Sequence, residues 1–412
     1  MKLNKSSQLL LVSAASLLVA GLLTACGTLT VDFVFVSSSR AAGPNNYGEI
    51  DVFEVNSESG FMRQIPTSPF PSGGRNPVAE AVSSDNQYLY VVNHDDNTIV
   101  QFIIGSDGKL YPQNTVNTPG VFPMAVAVNG SNLFVVDTYQ PLATCSPAAP
   151  CSGSVAVFPI AAATSSTPST LGTPVTNPSL SATYWPLTLP SKPSHVMIPT
   201  AVTVLGSGSD LYVTAYDSSV TPNVGYVFGF AVGSGGVLSA VSGSPVAAGA
   251  FPSAIAANTA GSYLYVTDFA SGNVLGFAIN GGSLTAVNGS PFPAGNQPSA
   301  IVVDPDYPFA YVANSMDNTI TAFSISNGIL TWIGSKTAGG GTYSTGPQPV
   351  AIGIDPSTNH YLYTANFLGG NMSSFELSPT DGTLINSQFS PYASNAQPTA
   401  IAAIPHGSST SK

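Results

Sequence analysis

One motif recurs seven times along this chain and leaves it few ways to fold. Each copy opens with Pro, any residue, Ala and then usually Ile or Val. The prolines are Pro77, Pro123, Pro199, Pro252, Pro298, Pro349 and Pro398, spaced by 46, 76, 53, 46, 51 and 49 residues. About ten residues later comes an aromatic run ending mostly in Asn or Asp: Tyr90 to Asn93, Phe134 to Asp137, Tyr212 to Ala215, Tyr265 to Asp268, Tyr311 to Asn314 and Tyr363 to Asn366. A segment closing on Phe-x-Ile or Phe-x-Val follows, then a Gly turn and a last short apolar run. Each unit thus holds four short strands of period-2 alternation, the size of one propeller blade.

The two chain ends complete the count. Pro398 starts a first strand, Ala400 to Ala403, and the chain soon stops. Near the other end stands an orphan second strand, Val31 to Val36, followed by third and fourth strands around Ile50 to Val55 and Phe61 to Ile65. Together they make one blade, and pairing them hides two edges that would otherwise recruit other chains. The expected fold is all-β: a seven-bladed β-propeller of four-stranded antiparallel blades over residues 31–405, its last blade closed by the N- and C-terminal strands. Residues 406–412 are expected to be a disordered tail.

Composition fits many strands and turns: 40 Gly, 34 Pro and only 7% charged residues, against 43% hydrophobic. Lys2 and Lys5 precede an apolar stretch, Leu9 to Leu23, which ends in Leu-Thr-Ala-Cys-Gly. It is too short and too close to the terminus for a stable span and reads as a signal peptide over 1–25. Its end resembles the lipobox of bacterial lipoproteins, which implies cleavage before Cys26, acylation of that cysteine and a short tether over 26–30. Several acyl chains hold a protein firmly to a bilayer. The resemblance implies an exported protein anchored to the bacterial cell envelope, at the outer membrane if the source has two.

The mature chain carries 7 basic against 20 acidic residues, a net charge of −13. Such a surface repels phosphate backbones and anionic headgroups, so nucleic acid is not an expected partner and the lipid is the expected membrane contact. Cys145 and Cys151, exported to an oxidising compartment, suit a short disulfide loop. A metal site is the rival reading, but no His or acidic residue lies between them.

These repeats resemble the seven-bladed lactonase-like propellers, the group related to 6-phosphogluconolactonase, and the "YVTN" repeat proteins. The resemblance spans about residues 30–405. It implies the fold, and it implies hydrolysis of a small lactone, a carboxylic ester, near the axial mouth. The same scaffold hosts unrelated functions, so a non-catalytic envelope module binding a glycan, peptide or protein stands as the alternative.

Antiparallel order within a blade, strands A to D from the axis outward, puts the D-to-A and B-to-C loops on one face, here called upper. The chain enters strand B of the shared blade from the lower face. About five residues separate Cys26 from that strand, a reach of roughly 15–18 Å, so the upper face is expected to point away from the membrane. The long connections Ser37 to Gly48, Thr138 to Gly153 and Asp217 to Gly225 map there, and Ala161 to Ile198 includes one more. Long loops on a rigid scaffold commonly carry binding residues.

Arg40, Arg75, His94, Lys192 and His195 map to upper loops. The sharpest anomaly is Glu80. At the third position after the anchor proline the other six repeats have Val126, Val202, Ile255, Ile301, Ile352 and Ile401. A carboxylate there is costly unless paired or exposed to channel water, and if dry its pKa rises toward the range of a general acid or base. In a lactonase, Glu80 or His94 would activate water, while Arg75, Arg40 and His195 would hold the substrate. Glu80 should pair with Val91, leaving His94 about 10 Å further toward the rim. The scarcity of Arg argues against a sugar phosphate.

The Asn and Asp at the ends of the second strands suit turns better than a metal ring. Asp304-Pro305-Asp306 and Asp95-Asp96 lack the spaced oxygens of a calcium loop. Tyr139, Trp185 and Tyr343 could stack a sugar or peptide, or equally pack down the loops that carry them. There is no Gly-rich phosphate loop, nucleophile elbow or His-Glu metal motif, so neither cofactor nor metal is expected. A monomer is expected.

Overall fold

The computed structural model describes residues 31–42, 45–56, 59–164, 166–334, 341–355 and 361–405. The leader, Cys26, the tether and the tail lie outside the described residues. Seven antiparallel sheets form a ring. Blade 1 is Pro77–Val82, Tyr88–Asn93, Thr98–Ile104 and Leu110–Asn117. Blades 2 to 6 follow over 121–186, 197–247, 252–293, 298–344 and 349–393. In the closing blade, Pro398–Ile404 is innermost, followed outward by Val31–Ala42, Tyr47–Asn56 and the short pieces Met62–Gln64 and Phe70–Pro71. Its register runs Phe33 opposite Ile404, Phe35 opposite Ala402 and Ser37 opposite Ala400. The two ends of the chain therefore pair as the repeat count requires.

The core lies in the seams. Among the described residues seven buried apolar clusters occur, each shared by two neighbouring blades. Period-2 alternation explains this, because both faces of every blade meet another blade and both sets of side chains must be apolar. Tyr90, Tyr212, Tyr265, Tyr311 and Tyr363 are among the largest fully buried side chains. Tyr212, Tyr265 and Tyr311 donate their hydroxyls to the carbonyls of Gly282, Gly328 and Gly382, each in the outer turn of the next blade. That turn requires glycine: Gly328 has φ 80°, and a Cβ would meet the Tyr263 ring at 2.4 Å.

Two further devices recur. The residue after the anchor proline bulges from the ladder. Ser253, Ser299 and Thr399 there donate to the carbonyls of Pro298, Pro349 and Pro77, the anchors of the next blades, at 2.5, 2.7 and 2.7 Å. Outermost strands are the second device. Outside blade 1 they are broken in two, and in four blades a Ser-Pro pair sits in the gap. Ser68, Ser244, Ser290 and Ser390 accept the N–H groups of Val52, Gly229, Gly276 and Ser374 at 2.8, 2.8, 3.0 and 2.9 Å. A side-chain oxygen thus replaces the missing backbone acceptor.

The long connections differ in part from expectation. Ser37 to Gly48 is a hairpin extension of strands Val31–Ala42 and Tyr47–Asn56, not an open loop. The stretch 161–198 holds two short outer strands, Thr170–Leu171 and Trp185–Pro186, both paired with Ser154–Ala161. Trp185 is a core residue, its indole donating to the Leu238 carbonyl at 2.9 Å. Cys145 and Cys151 form a disulfide.

Candidate functional site

The upper rim is built by a repeated tie. In several blades the Asn or Asp ending the second strand reaches back to the loop that precedes the anchor proline. Asp268 accepts from the N–H groups of Ala250 and Phe251, both at 2.9 Å, and Asn314 from Gly295 at 3.0 Å. Asn314 also donates to Thr319 and Thr321 of the next strand. Asp268 and Asn314 therefore clamp the blade-to-blade loop, whereas Asn366 donates forward to Asn371 and Ser373. Asp137 is the extreme case: Gly120 donates to Oδ2 at 3.1 Å, Oδ1 is buried without a partner, and burial pushes its pKa up to about 7.

Glu80 does pair with Val91. Its carboxylate is turned into the seam with the closing blade. Oε2 accepts from the Ser37 hydroxyl and the Ala402 N–H also donates to the carboxyl, whereas Oε1 is shut away without a partner. Burial outweighs both hydrogen bonds and pushes the pKa up to about 7. The pairing is a coordinated exchange. Ser37 occupies the register position that holds Val92, Val136, Thr214, Thr267, Ala313 and Ala365 in the other blades. In the next seam Val92 and Val126 are both apolar and belong to one cluster.

The other rim residues are spread out. Arg75 is ion-paired with Asp96, Nη2 to Oδ1 at 2.5 Å, and its guanidinium pKa is raised by that hydrogen bond. His94 Nδ1 lies 2.7 Å from Asp95 Oδ1, and its ring stacks on Phe122 with centroids 4.8 Å apart. Arg40 is exposed in the closing-blade hairpin. Arg75 and His94 meet at Asp95 on the rim, Arg75 through the Asp95 carbonyl at 3.4 Å and His94 through its carboxylate, whereas Glu80 has its partners in the seam, so the three do not converge on one point.

His195 sits differently. Its Nδ1 lies 2.6 Å from Oδ2 of Asp217, a carboxylate with 1% of its side chain exposed, while 24% of the imidazole remains exposed. Ser219 N–H fixes the other carboxylate oxygen at 2.9 Å. Asp217 ends a second strand, and the loop that follows it supplies Pro222 and Asn223 to a cavity of about 700 Å³ between blades 3, 4 and 5. Phe251, Phe269, Gln297 and Met316 line its other walls. Tyr216 packs on Phe251 with centroids 4.5 Å apart.

A family model described as lactonase, seven-bladed β-propeller, matches residues 45–146 and 226–401, well over half of the chain. The chain belongs to this lactonase family. No curated protein matches it by sequence. Solved structures do match the lactonase-family propeller in fold. One, titled a putative 6-phosphogluconolactonase from Bacteroides fragilis, shares 19% identity and a TM-score of 0.66, covering 92% of this chain and 98% of that one. The periplasmic gluconolactonase of Pseudomonas aeruginosa shares 20% identity and a TM-score of 0.68, covering 91% and 99%. A hypothetical selenium-binding protein from Sulfolobus tokodaii shares 10% identity and a TM-score of 0.62, covering 92% and 96%.

Two participants escape a reading of the sequence: Ser37, partner of Glu80, and Asp217, partner of His195. Ser37 becomes visible only when second-strand positions are aligned across blades. Asp217 is visible as a strand-end carboxylate, but nothing in the irregular 161–198 stretch says which side chain will meet it.

Proposed function

We propose that this lactonase-family propeller hydrolyses a small uncharged lactone on its upper face, with His195 as general base. The observation that carries the reading is the His195–Asp217 pair. A buried carboxylate at 2.6 Å from Nδ1 orients the imidazole, leaving Nε2 to take a proton. Water attacks the lactone carbonyl as His195 accepts its proton. The tetrahedral intermediate then expels the ring oxygen, which takes that proton back, giving the open hydroxy acid. The loop that follows Asp217 carries Asn223 into the cavity, where its side-chain amide and that of Gln297 are donors of the kind that receive a carbonyl oxygen. Glu80, with its carboxylate sealed in a seam, supports the ring beneath Arg75 and His94 rather than meeting water.

Gluconolactone is the first substrate to test, because a structural relative is titled a gluconolactonase and the paired arginine and acidic surface favour a ligand without phosphate. His195→Ala should lower kcat/KM at least about a hundredfold, and Asp217→Asn should do much the same with KM little changed. Turnover that survives both substitutions removes the reading.

Export and acylation at Cys26 complete it. The first described strand enters from the lower face, so a tether there leaves the upper rim facing away from the bilayer. Cys26→Ser should move the protein from the membrane fraction to the soluble fraction. Retention in the membrane fraction would refute the anchor.

A further inference from the structure

Six partly exposed rings follow one another along the upper rim of blades 1 to 4: His94, Phe122, Tyr139, Tyr216, Phe251 and Phe269. Successive centroids are 4.8 Å apart for His94 and Phe122, 6.2 Å for Phe122 and Tyr139, 4.5 Å for Tyr216 and Phe251, and 5.8 Å for Phe251 and Phe269. Tyr139 of blade 2 and Tyr216 of blade 3 stand on either side of the seam between the two runs of rings. The Tyr216 phenol is raised chiefly by burial and additionally by the nearby Tyr139.

Position in the repeat shows that the arc is not a folding requirement. Two rim sites recur in every blade, the residue before the anchor proline and the residue it meets just beyond the second strand. They are linked by His94 N–H to Asn76, Phe269 N–H to Phe251, Ser315 N–H to Gln297, Phe367 N–H to Gln348 and Ser39 N–H to Gln397. Blades 1 to 3 place one ring each at these sites (His94, Phe122 and Tyr216, beside Asn76, Thr138 and Ile198), blade 4 places two, and Tyr139 adds a ring one residue beyond the blade 2 site. Blade 5 and the closing blade fill the same geometry with Gln and Ser, and Phe367 is the single ring beyond the arc. The scaffold therefore forms without aromatics here, and their collection on one side of the mouth calls for a ligand.

The chemistry around the arc selects its class. Along it Arg75 is paired with Asp96, and the imidazoles of His94 and His195 each face a carboxylate, Asp95 and Asp217, which leaves Lys192 and Arg40 as the other exposed basic groups of the upper loops. An anionic ligand would find few free positive charges on a chain with net charge −11. At its blade 4 end the rings meet a cavity lined by the amides of Asn223, Asn296 and Gln297. Apolar faces flanked by neutral donors and acceptors fit a molecule that is apolar on its faces and hydroxylated at its edges.

We propose that this arc is a binding track for a neutral oligosaccharide, with the sugar rings lying on the aromatic faces and one end reaching the cavity between blades 3 and 5. The track stands on the ring arrangement and does not depend on His195 acting as a base.

Calorimetric titration of the full chain with hexaoses of β-1,4-linked glucose, α-1,4-linked glucose and β-1,4-linked N-acetylglucosamine tests it. At least one should bind with a Kd of about 1 mM or tighter. Phe122→Leu and Tyr216→Leu keep apolar bulk but remove the flat face, and each should weaken binding at least about fivefold, with thermal unfolding unchanged. Arg63→Ala, on an outer strand paired with Glu54, should leave the Kd within about twofold. The proposal falls if no hexaose binds, if the leucine variants bind as the unaltered chain does, or if a neutral peptide competes more strongly than every hexaose. Loss of binding in the leucine variants with lactone turnover intact would separate this track from the hydrolytic reading. Glycan binding with no lactone turnover would leave the track standing alone.

Discussion

A chain ending at Gln397 will not reach a cooperative native state. The missing strand, Pro398–Ile404, pairs with Val31–Ala42 over six register positions and carries Ile401 and Ile404 into the flanking seams. Ladder hydrogen bonds contribute about 1 kcal/mol each, and each buried aliphatic side chain about 2 kcal/mol. The loss is on the order of 10 kcal/mol, comparable with the whole stability of an ordinary domain. Truncation also cuts the Thr399 hydroxyl bond to Pro77, one of the links from the closing blade to blade 1. It exposes the edge of a strand whose Val34, Phe35 and Val36 are fully buried in the intact ring, so aggregation should accompany unfolding. Urea unfolding followed by circular dichroism, beside the full chain, reads the effect. A sharp transition within a few degrees or tenths of molar of the full chain would show that the ring holds without its closing strand. A synthetic peptide of residues 398–405 added during refolding should restore part of the transition.

That closure was legible because it needs only a count. Six complete copies of one repeat, with a lone first strand at one end and lone later strands at the other, admit one simple joining. Blade seams were legible for the same reason, since alternation of Tyr, Val and Leu demands burial on both faces. The outer strands were not. Trp185 and Pro186 form a two-residue strand 14 residues after Thr170 and Leu171, and two residues carry no period. Ser68 and its counterparts hide further, because a side-chain oxygen there does the work of a backbone carbonyl.

The site was legible in its exceptions and opaque in its pairings. Glu80 stands out against six aliphatic residues from sequence alone. What it meets depends on which strand of the neighbouring blade lies across the seam, and Ser37 is 43 residues away. His195 and Asp217 are 22 residues apart, with an irregular loop leading into the histidine. Loops take their course from contacts that propensity does not encode, so of three residues close in one blade by register, Arg75 and His94 meet at Asp95 on the rim while Glu80 turns into the seam toward Ser37.

Glu80 gives the second large effect, and its sign follows from burial. Its folded-state pKa of about 7 lies above the ordinary value of 4.5. Between those two values the folded chain keeps the proton while the unfolded chain releases it. Stability therefore falls as pH rises through that window, by about 1.4 kcal/mol per unit of displacement, and levels off above pH 7. The loss is on the order of 3 kcal/mol at pH 8 relative to pH 4.5. Asp137, raised to about 7, and Asp51, raised to about 6, titrate in the same window, so the unaltered protein should show a steeper slope than Glu80 alone supplies. Glu80→Gln preserves the size and a hydrogen bond to Ser37 but cannot ionise. It should be close to the unaltered protein at pH 5 and more stable at pH 8 by about 2–3 kcal/mol, read as a shift of the urea midpoint. The paired change Ser37→Val with Glu80→Ile rebuilds the apolar seam that Val92 and Val126 make one blade further on, and should flatten the same part of the pH profile. Ser37→Val alone should do the opposite, stranding a carboxyl beside an aliphatic side chain and costing about 1–3 kcal/mol. If Glu80→Gln shifts the midpoint equally at pH 5 and pH 8, the carboxyl is solvated in the folded ring and the seam is not what raises it.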